Sequence, residues 1–439
     1  MNDLEADKID ANPSKEFFVE IITRDLKIAD CLLDLVDNSL DHAVGEAEID
    51  VMTILEKKHL SGLKRYRIDV EVSEQSIHVF DNCGGISRDE AKREVFRLGV
   101  TSHEATRHGL SVYGIGMKRA FFKLGTLVRV ESSTRKESFV VVIDVDKWLA
   151  QTEWSFEFTD QGAPWKGTLP GTKIGIEKLR PEIKRLVAVP TFTQDLMARL
   201  ASSYALFIIA GLDLRVNGKK VESTIPQIAA DAGLKPARKK LRSGKVDILI
   251  LAGVTPREDR EPRGWYLFCN GRMVLEADRS ALTAWGDGLP QWHTKYGHFV
   301  GYAYFRSDDV YSLPWTTTKQ GIVFESRAYQ EALSEMVLHA RPVLNFLSNL
   351  YSEVEEQDVP GRQLLKTAKS VPITAIRAKD GSFEVKLPRR KDSEILVNVQ
   401  FQVSKRNIER ARQAIGTEGL SARKVAEHAF NYFLKHEAQ

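Results

Sequence analysis

Residues 33–43 carry three carboxylates and one carboxamide at the spacing of a helix. A helix places Asp34, Asp37, Asn38 and Asp41 on one face, because they lie three or four positions apart. The neighbouring face is apolar and consists of Leu33, Val36, Leu40 and Ala43. Carboxylates this close together repel each other, and they are best tolerated where they line a wet site that holds a metal ion. The alternative is a solvated acidic surface, and this stretch alone leaves both interpretations open.

A second group of chemically suggestive residues follows a pair of strand patterns. Alternating apolar residues predict strands over residues 65–72 and 76–81, and the sequence Asp-Asn-Cys-Gly-Gly-Ile follows at residues 81–86. We expect the carboxylate of Asp81 to point into a pocket, and the two glycines to let the backbone turn closely past its contents. Taken singly, a glycine pair after a strand most often marks only a turn.

A third segment combines glycines with the start of a helix. Residues 99–109 are polar with little periodicity, and the sequence Val-Tyr-Gly-Ile-Gly-Met-Lys follows at residues 112–118. Backbone N–H groups at Gly114 and Gly116, together with the positive end of the helix dipole, favour phosphate oxygens. Lys118 adds a point charge at the same place.

Four motifs in this order resemble the ATP-binding domain of the GHKL superfamily, which includes gyrase, heat-shock chaperones, histidine kinases, MutL and the MORC proteins. They are the acidic helix, the turn at residues 81–86, the glycine loop at residues 112–118 and a Gly-Thr strand at residues 171–176. The acidic helix is similar to the MutL form of its motif, and the glycine loop is closer to that of MORC proteins. The resemblance implies a Bergerat fold, a two-layer α/β sandwich, over residues 1–222.

The resemblance also implies a role for individual residues. Asn38 corresponds to the Mg²⁺ ligand, and Asp34 to the general base that polarises the attacking water. Asp81 corresponds to the residue that accepts a hydrogen bond from the adenine amino group. A water held by Thr172 completes adenine recognition, and Gly85 gives the base room to approach.

Phosphate binding is implied for the glycine loop. Gly114 and Gly116 correspond to the residues that present backbone N–H groups to ATP, and Lys118 contributes charge. Residues 99–109 correspond to the lid that is ordered when nucleotide is bound. His103 stands where relatives often carry a lid lysine, and we assign it no ligand role.

Two departures from the family pattern bear on the chemistry. Position 34 is Asp where the usual base is Glu, which is longer by one methylene, and such steps depend on ångström-level positioning. We therefore expect either that hydrolysis is slow or that the helix carrying Asp34 lies closer to the nucleotide. Asp37 is a rival base on sequence grounds, although the superfamily pattern turns it toward the neighbouring strand. Cys83 occupies a usual glycine position, and packing as a small buried residue is favoured over a redox role.

A second domain is expected over residues 223–352. Residues 265–274 predict a strand, a tight turn and a strand, and the sequence Phe-Cys-Asn-Gly-Arg within them resembles a phrase of the MutL transducer domain, which has an S5-like α/β fold. Residues 313–321 then contain Lys319. In gyrase and MutL relatives a transducer loop delivers a lysine to the γ-phosphate, and Lys319 is in the right place to be that residue. The alternative is a solvent-facing loop lysine.

The C-terminal region changes character. Residues 353–393 resemble a linker, and residues 394–439 follow a strand–helix–helix pattern that resembles a ribbon–helix–helix module. In such a module Asn398, Gln400 and Gln402 would read bases while Lys405 and Arg406 met phosphate. A small unit for dimerisation or partner docking is the alternative. Residues 361–439 carry 16 Lys/Arg against 8 Asp/Glu, so their net charge is +8 in a chain of net charge +3, which favours an acidic partner such as DNA.

Composition places the chain among soluble globular proteins. Its 439 residues are 43% hydrophobic, and no apolar run approaches the length of a membrane span. Three widely spaced cysteines, Cys31, Cys83 and Cys269, predict neither a disulfide framework nor a zinc site. With no apolar signal core near residue 1, a cytoplasmic location is expected. No His-bearing dimerisation helix precedes the ATP motifs, which argues against a histidine kinase, and no endonuclease segment is recognisable.

The fold class implied is α+β: the Bergerat domain, the S5-like transducer domain and a small C-terminal β-α-α module. The function implied is that of a Mg²⁺-dependent ATPase acting as a nucleotide-gated clamp, with ATP-dependent homodimerisation, an effector protein partner and a DNA-related role. Two alternatives remain: a scaffold that senses ATP with negligible turnover, and a chaperone-like ATPase that acts on proteins.

Overall fold

The computed structural model describes most of the chain, in two compact units, Met1–Pro388 and Arg389–Gln439. The described residues are 13–56, 62–98, 109–110, 114–160, 170–225, 227–255, 262–352, 360–376, 379–387, 402–416 and 419–437. Helices and strands both contribute to the first unit, and the predicted α+β class is confirmed. Among the described helices, none combines the length and the apolar character that a membrane crossing needs.

Helices begin and end where local sequence signals place them. Ser14 begins the first helix, since its side chain accepts a backbone hydrogen bond from the first turn. The second helix ends at Glu48, which has a left-handed backbone conformation. Its N–H donates to the carbonyl groups of Val44 and Gly45 in the last turn. The helices are α1 (Lys15–Thr23), α2 (Ile28–Ala47), α3 (Val51–Glu56), α4 (Arg88–Glu90), α5 (Gly116–Leu124), α6 (Val145–Leu149), α7 (Pro181–Val187), α8 (Phe192–Ser203), α9 (Ala205–Ile209), α10 (Arg327–Ser352), α11 (Pro360–Thr367), α12 (Lys405–Ile415) and α13 (Ala422–His436).

Strands are grouped in two main sheets and two short pairs. They are β1 (Arg67–Val72), β2 (Ile77–Asp81), β3 (Gly125–Ser133), β4 (Ser138–Asp144), β5 (Phe158–Asp160), β6 (Gly171–Leu179), β7 (Asp213–Val216), β8 (Lys219–Lys220), β9 (Ile228–Ala229), β10 (Leu234–Lys235), β11 (Ala237–Ser243), β12 (Val246–Val254), β13 (Gly264–Cys269), β14 (Arg272–Asp278), β15 (Phe299–Arg306), β16 (Ser370–Val371) and β17 (Glu384–Val385). The first sheet has the order β5-β4-β3-β6-β2-β1-β7-β8, and the second has the order β11-β12-β15-β13-β14.

The first sheet and its helices form two layers. Strands β1, β2, β3 and β6 pair antiparallel, while β1 and β7 run parallel. Alternate side chains along β1 and β2, including Ile68, Val70 and Val79, are buried. Helices α2 and α5 pack against each other, and both contact this sheet. The apolar stripe of α2 enters this core, which fixes the direction of its acidic face.

The second sheet belongs to the same unit. Its strands β12, β13 and β15 are buried at nearly every position, as expected for strands that are covered on both faces. Helix α10 packs against β11, β12 and β15, and helices α8 and α9 of the preceding region contact β14. The contacts of α8 and α9 with β14 bring the loop that follows Cys269 toward α2.

The segment predicted as a linker is folded over much of its length. Residues 360–376 and 379–387 contain α11, β16 and β17, and these two strands pair with β9 and β10. Leu365, Ile373 and Phe383 are buried there. This segment was predicted as a linker because its apolar residues are scattered and show no long helical or strand period. It is folded because these same residues are buried. The linker prediction is corrected to this extent; residues 353–359 and 388–393 lie outside the described residues.

The C-terminal unit is a helical hairpin in its described part. Ser404 and Ser421 cap α12 and α13 through their side chains, and Gly416 ends α12 in a left-handed conformation. The strand predicted over residues 394–404 lies outside the described residues except for its last three positions, which are not in a strand. Asn398 and Gln400 therefore have no described position, and the ribbon–helix–helix assignment stays a prediction.

Candidate active site

The acidic face of α2 is buried rather than solvated at its two central carboxylates. The side chains of Asp34 and Asp37 are 4% and 0% exposed, and the Asn38 residue is half-buried. Full burial of a carboxylate is tolerated only where cations or hydrogen-bond donors meet it. The solvated-surface interpretation of residues 33–43 is therefore excluded for Asp34 and Asp37.

Asp34 faces the start of α5 and two cations. Its Oδ2 lies 2.9 Å from the guanidinium of Arg119, and its Oδ1 lies 3.7 Å from Nζ of Lys319. Gly116 opens α5 against it, and a Cβ at Gly116 would stand 3.0 Å from the carboxyl carbon of Asp34. The glycine therefore permits the close approach of the helix start to the carboxylate.

Asp37 receives three donors from three different parts of the chain. Its Oδ1 accepts a hydrogen bond of 2.7 Å from the Tyr204 hydroxyl, and its Oδ2 accepts one of 2.6 Å from Nζ of Lys319. Nη1 of Arg272 also donates to Oδ2. Tyr204 lies between α8 and α9, whereas Arg272 begins β14 of the second sheet and Lys319 lies between β15 and α10. This buried cluster therefore joins distant parts of the first unit at the acidic helix.

Lys319 is buried in the site, not exposed on a loop. Its side chain is 6% exposed, and burial lowers its pKa to about 8. The adjacent Gln320 accepts a hydrogen bond from Arg199, which also pairs with Asp30 at 2.7 Å. The sequence placed Lys319 on a domain that reaches toward the nucleotide site, and the structure brings it to the two carboxylates of α2.

The turn after β2 has its own network around Asp81. The carboxylate accepts hydrogen bonds from the Ser39 hydroxyl at 2.7 Å, from the Cys83 N–H at 2.9 Å and from the Thr172 N–H at 3.2 Å. Burial raises the pKa of Asp81 despite these donors. The Thr172 hydroxyl contacts the Ser132 hydroxyl at 2.9 Å. The acidic helix, the turn at residues 81–86 and the Gly-Thr strand thus meet at the carboxylate of Asp81.

Glycine is required at this turn by both conformation and space. Gly84 and Gly85 have φ values of +110° and +70°. A Cβ at Gly85 would overlap the carbonyl oxygen of Ser133, and a Cβ at Gly171 would overlap the carbonyl oxygen of Asp81. Cys83 is buried, and burial raises the pKa of its thiol well above the usual value, as expected for packing rather than redox chemistry.

A pocket of about 650 Å³ opens between the second half of α2 and this turn. Its size lies within the range of about 300–1,000 Å³ typical of small-molecule sites. The residues that line it are Asp41, His42, Gly45, Glu46, Cys83, Gly84, Gly85, Glu90, Gly109, Arg135 and Pro170. The pocket combines polar groups with glycine backbone, which suits a polar ligand that approaches the main chain closely.

Lys118 is placed differently from the sequence prediction. Its Nζ donates to the carbonyl groups of Val95 and Gly114, the first at 2.6 Å, and burial lowers its pKa to about 7. The ammonium therefore ties the glycine loop to the helical segment that ends at Val95, while its predicted contact with phosphate stays a prediction. Gly114 has a φ of +61° and Gly116 begins α5, as the loop requires. Residues 99–108, with most of the predicted lid and His103, lie outside the described residues.

A larger cavity, of about 810 Å³, lies near the start of α2 and among α7 and α8. Its lining is mainly apolar and includes Leu26, Ile183, Leu196 and Pro262. Among the described residues that line it, none is a predicted site residue. It is a separate feature, connected to the acidic cluster through Arg199, which lines the cavity and bonds Gln320.

The donor set fits a Mg²⁺ ion that is bound mainly by phosphate. Among the described residues, no group of three or more His, Cys, Asp or Glu side chains is arranged to hold a metal ion. Asp34 and Asp37 are engaged by Arg119, Arg272 and Lys319. Mg²⁺ in nucleotide sites commonly keeps several waters and one or two protein ligands beside the phosphates, and the neutral carbonyl of Asn38 suits that requirement.

Sequence reasoning missed Arg119, Tyr204 and Arg272. Arg119 directly follows the predicted phosphate loop, and Arg272 ends the Asn-Gly-Arg turn, so one lies beside a recognised motif and the other lies within one. Their partners lie 85 and 235 positions away along the chain. Buried carboxylates require cations or hydrogen-bond donors as partners. A search for arginines that could pair with the acidic face would therefore have pointed to Arg119 and Arg272.

Comparison with known protein families bears on the first domain. Residues 26–163 match a family model described as histidine kinase-, DNA gyrase B-, and HSP90-like ATPase. The matched span includes α2, the Asp81 turn and the start of α5, and it ends before Thr172 and Lys319. No curated protein matches the chain.

Proposed function

From the premise that residues 26–163 form a GHKL-type ATPase domain, we propose that the chain binds ATP with Mg²⁺, hydrolyses it slowly and couples the nucleotide to its second domain. The observation that carries this proposal is the position of Lys319. Its ammonium comes from the second domain and lies 2.6 Å from Asp37 and 3.7 Å from Asp34 on the acidic helix of the first. A cation in that position is suited to respond to a γ-phosphate.

Adenine recognition is assigned to the turn at Asp81. The carboxylate is oriented by Ser39, Cys83 and Thr172, and the pocket of about 650 Å³ adjoins the glycines that follow it. A carboxylate held in this way accepts a hydrogen bond from an exocyclic amino group and rejects a carbonyl at the same position. We therefore expect preference for adenine over guanine nucleotides.

Phosphate binding is assigned to Asn38 and to the backbone at Gly114 and Gly116. The Asn38 carbonyl is the protein ligand of Mg²⁺, which neutralises phosphate charge when bound. Gly116 begins the nine-residue helix α5, whose first turn presents N–H groups and a favourable dipole end. Lys118 is not part of this assignment, because its ammonium is engaged by two backbone carbonyls.

Hydrolysis is assigned to Asp34, which would orient and polarise the attacking water. Asp37 is the less suitable base, because it is fully buried and both its oxygens already accept hydrogen bonds. Asp34 has a cation beside each oxygen, Arg119 at 2.9 Å and Lys319 at 3.7 Å, which compete with a water for the carboxylate, and its side chain is shorter than that of Glu. Both features support slow turnover.

The test compares Asp34→Ala with the wild type in two assays. Binding of ATP is measured by calorimetry, and phosphate release is measured at steady state with Mg²⁺. We expect Asp34→Ala to bind ATP and to lose hydrolysis. Asp89→Ala is the matched control, since Asp89 also pairs with an arginine, at 2.8 Å, but is 66% exposed. Normal turnover by Asp34→Ala would show that the base is misassigned.

We further propose that the ATPase works as a dimeric clamp with an effector protein, in a DNA-related process. The support is the resemblance to MutL and MORC proteins and the net charge of the C-terminal region. Light scattering with and without a non-hydrolysable ATP analogue tests dimerisation. A DNA mobility shift tests the DNA role, and binding driven by phosphate contacts must weaken steeply as salt rises. Protein substrates that stimulate turnover in place of DNA would favour a chaperone-like ATPase.

An ATP-sensing scaffold is the second candidate function. The observation that favours it is Asp at position 34, paired with Arg119 at 2.9 Å. In this case the wild type binds ATP but releases phosphate no faster than Asp34→Ala does. The same pair of assays therefore separates a slow enzyme from a scaffold.

A further inference from the structure

The cluster around Asp37 holds two cations on one carboxylate. Arg272 is 1% exposed and Lys319 is 6% exposed, and both donate to the same oxygen, Oδ2 of Asp37. The Tyr204 hydroxyl takes the other oxygen at 2.7 Å. The nearest other carboxylate, Asp34, lies 3.7 Å from Lys319 and already pairs with Arg119 at 2.9 Å. The three cations paired here therefore outnumber the two carboxylates by one, which leaves one positive charge for another anion.

Lys319 is the cation that is free to change partners. Its ammonium lies between Asp37, at 2.6 Å, and Asp34, at 3.7 Å, so it already has a second anionic neighbour. Arg272 differs, because among the described residues its Nε and Nη2 have no hydrogen-bond partner and its Nη1 is held by Asp37. Arg272 therefore depends on Asp37 as its partner, whereas Lys319 has a second carboxylate, that of Asp34, beside it.

If Lys319 left Asp37 for a phosphate, the buried carboxylate of Asp37 would need another cation to neutralise its charge. An uncompensated charge in a protein interior is strongly unfavourable. Arg272 removes this obstacle, since its guanidinium stays on Asp37 after the ammonium has moved. The presence of the second cation thus lowers the free energy that Lys319 loses when it leaves its resting partner.

We propose that Asp37 is the resting acceptor of the Lys319 ammonium, and that Arg272 is a positioning residue that keeps Asp37 paired when the ammonium moves to the γ-phosphate of ATP. This inference rests on the proposed function and adds to it the means by which the site distinguishes ATP from ADP. Only ATP has the terminal phosphate that draws Lys319 away from Asp37. The exchange of partners is what couples the terminal phosphate to the second domain.

The experiment measures the affinity of the full chain for ADP and for a non-hydrolysable ATP analogue, both with Mg²⁺, and reports their ratio. In Arg272→Met, Asp37 has only Lys319 and Tyr204, so Lys319 stays at its resting position. We expect the preference for the ATP analogue to fall by about tenfold, the order expected when one charged hydrogen bond is lost. Arg272→Lys should keep the preference within about threefold of wild type, because a single nitrogen of Arg272 meets Asp37.

A double variant separates this role from a merely structural one. Asp37→Asn combined with Arg272→Met removes both charges of the pair, so neither a carboxylate nor a guanidinium is left without its partner. Lys319 loses its resting acceptor and retains only Asp34, at 3.7 Å. We expect it to melt near the temperature of Arg272→Met and to recover the preference for the ATP analogue to the wild-type value or above. Arg327→Met is the surface control, since Arg327 pairs with Glu331 at 2.8 Å but is 87% exposed.

Each outcome decides the proposal. An Arg272→Met protein with the wild-type ratio overturns it, and so does a double variant whose ratio stays as low as that of Arg272→Met. Equal weakening of ADP and analogue binding in Arg272→Met would mean that Arg272 supports only the fold. If the wild type binds neither nucleotide, the proposed function itself is wrong and the inference falls with it.

Discussion

Replacing Asp37 by asparagine should destabilise the first unit far more than the loss of one ordinary hydrogen bond. The amide side chain keeps the shape and can still accept one hydrogen bond, but the guanidinium of Arg272 then has no anion, and Lys319 retains only Asp34, at 3.7 Å. Breaking a buried ion pair on one side costs about 3–5 kcal/mol. We expect the free energy of unfolding to fall by about 3 kcal/mol or more, because the amide offsets only part of the loss.

Urea denaturation followed by tryptophan fluorescence measures this change. Trp148 of the first domain and Trp265, Trp285 and Trp315 of the second are buried, so unfolding of either domain is reported. The matched control is Asp89→Asn, whose exposed ion pair should contribute less than about 0.5 kcal/mol. An unchanged slope of free energy against urea would show that only stability has changed. A loss below about 1 kcal/mol for Asp37→Asn would refute the claim that its charge is essential to the cluster.

Three further predictions concern the elements around the site. Gly85→Ala should reduce the free energy of unfolding, measured in urea, and the ATP affinity, measured by calorimetry, by more than Gly218→Ala does. Both glycines have positive φ, but of the two only Gly85 lacks space for a Cβ. Equal effects of the two substitutions would contradict this reasoning. Burial lowers the pKa of Lys118 to about 7 from 10.5, so the unfolded chain binds more protons between these values and stability rises with pH there. Lys118→Met should remove up to about 1.4 kcal/mol per pH unit of that slope in urea titrations at pH 7 to 9, and an unchanged slope would count against it. Lys15 donates to three backbone carbonyls at 2.7–2.8 Å, so Lys15→Met should cost about 1–3 kcal/mol and speed hydrogen exchange in α1, whereas the exposed Lys147→Met should not.

Local patterns in the sequence predicted the elements that carry the site. The apolar and acidic stripes of residues 33–43 predicted that this stretch is helical and which face is buried, because helical spacing is a property of neighbouring residues. The turn at Asp81 and the start of α5 were predicted for the same reason: glycine is required where the backbone turns or approaches a neighbour closely. Lys319 was predicted through resemblance, and its burial beside Asp34 was not visible in its own segment.

Contacts across long separations in the chain were not predictable in this way. Arg119 reaches the acidic helix through the packing of α5 against α2, and Arg272 reaches it from β14 of the second sheet. No local period in the sequence marks either contact. Lys118 has the residue type of a phosphate ligand, but its ammonium is engaged by the backbone carbonyls of Val95 and Gly114. Residues 360–387 pack onto the second domain through scattered apolar side chains, a pattern that resembles a linker when its partner surface is unknown.

The steady-state rate of phosphate release by Lys319→Ala tests the central claim most directly. ATP hydrolysis by the full chain is compared among the wild type, Lys319→Ala and Lys245→Ala, a lysine of the same domain that is 72% exposed and pairs with Asp309 at 2.8 Å. We expect Lys319→Ala to bind ATP but to turn it over about 100-fold more slowly, the order found when one charge-stabilising group is removed from an active site. Lys245→Ala should match the wild type. Equal rates for Lys319→Ala and the wild type would contradict the claim that the second domain completes the ATPase site.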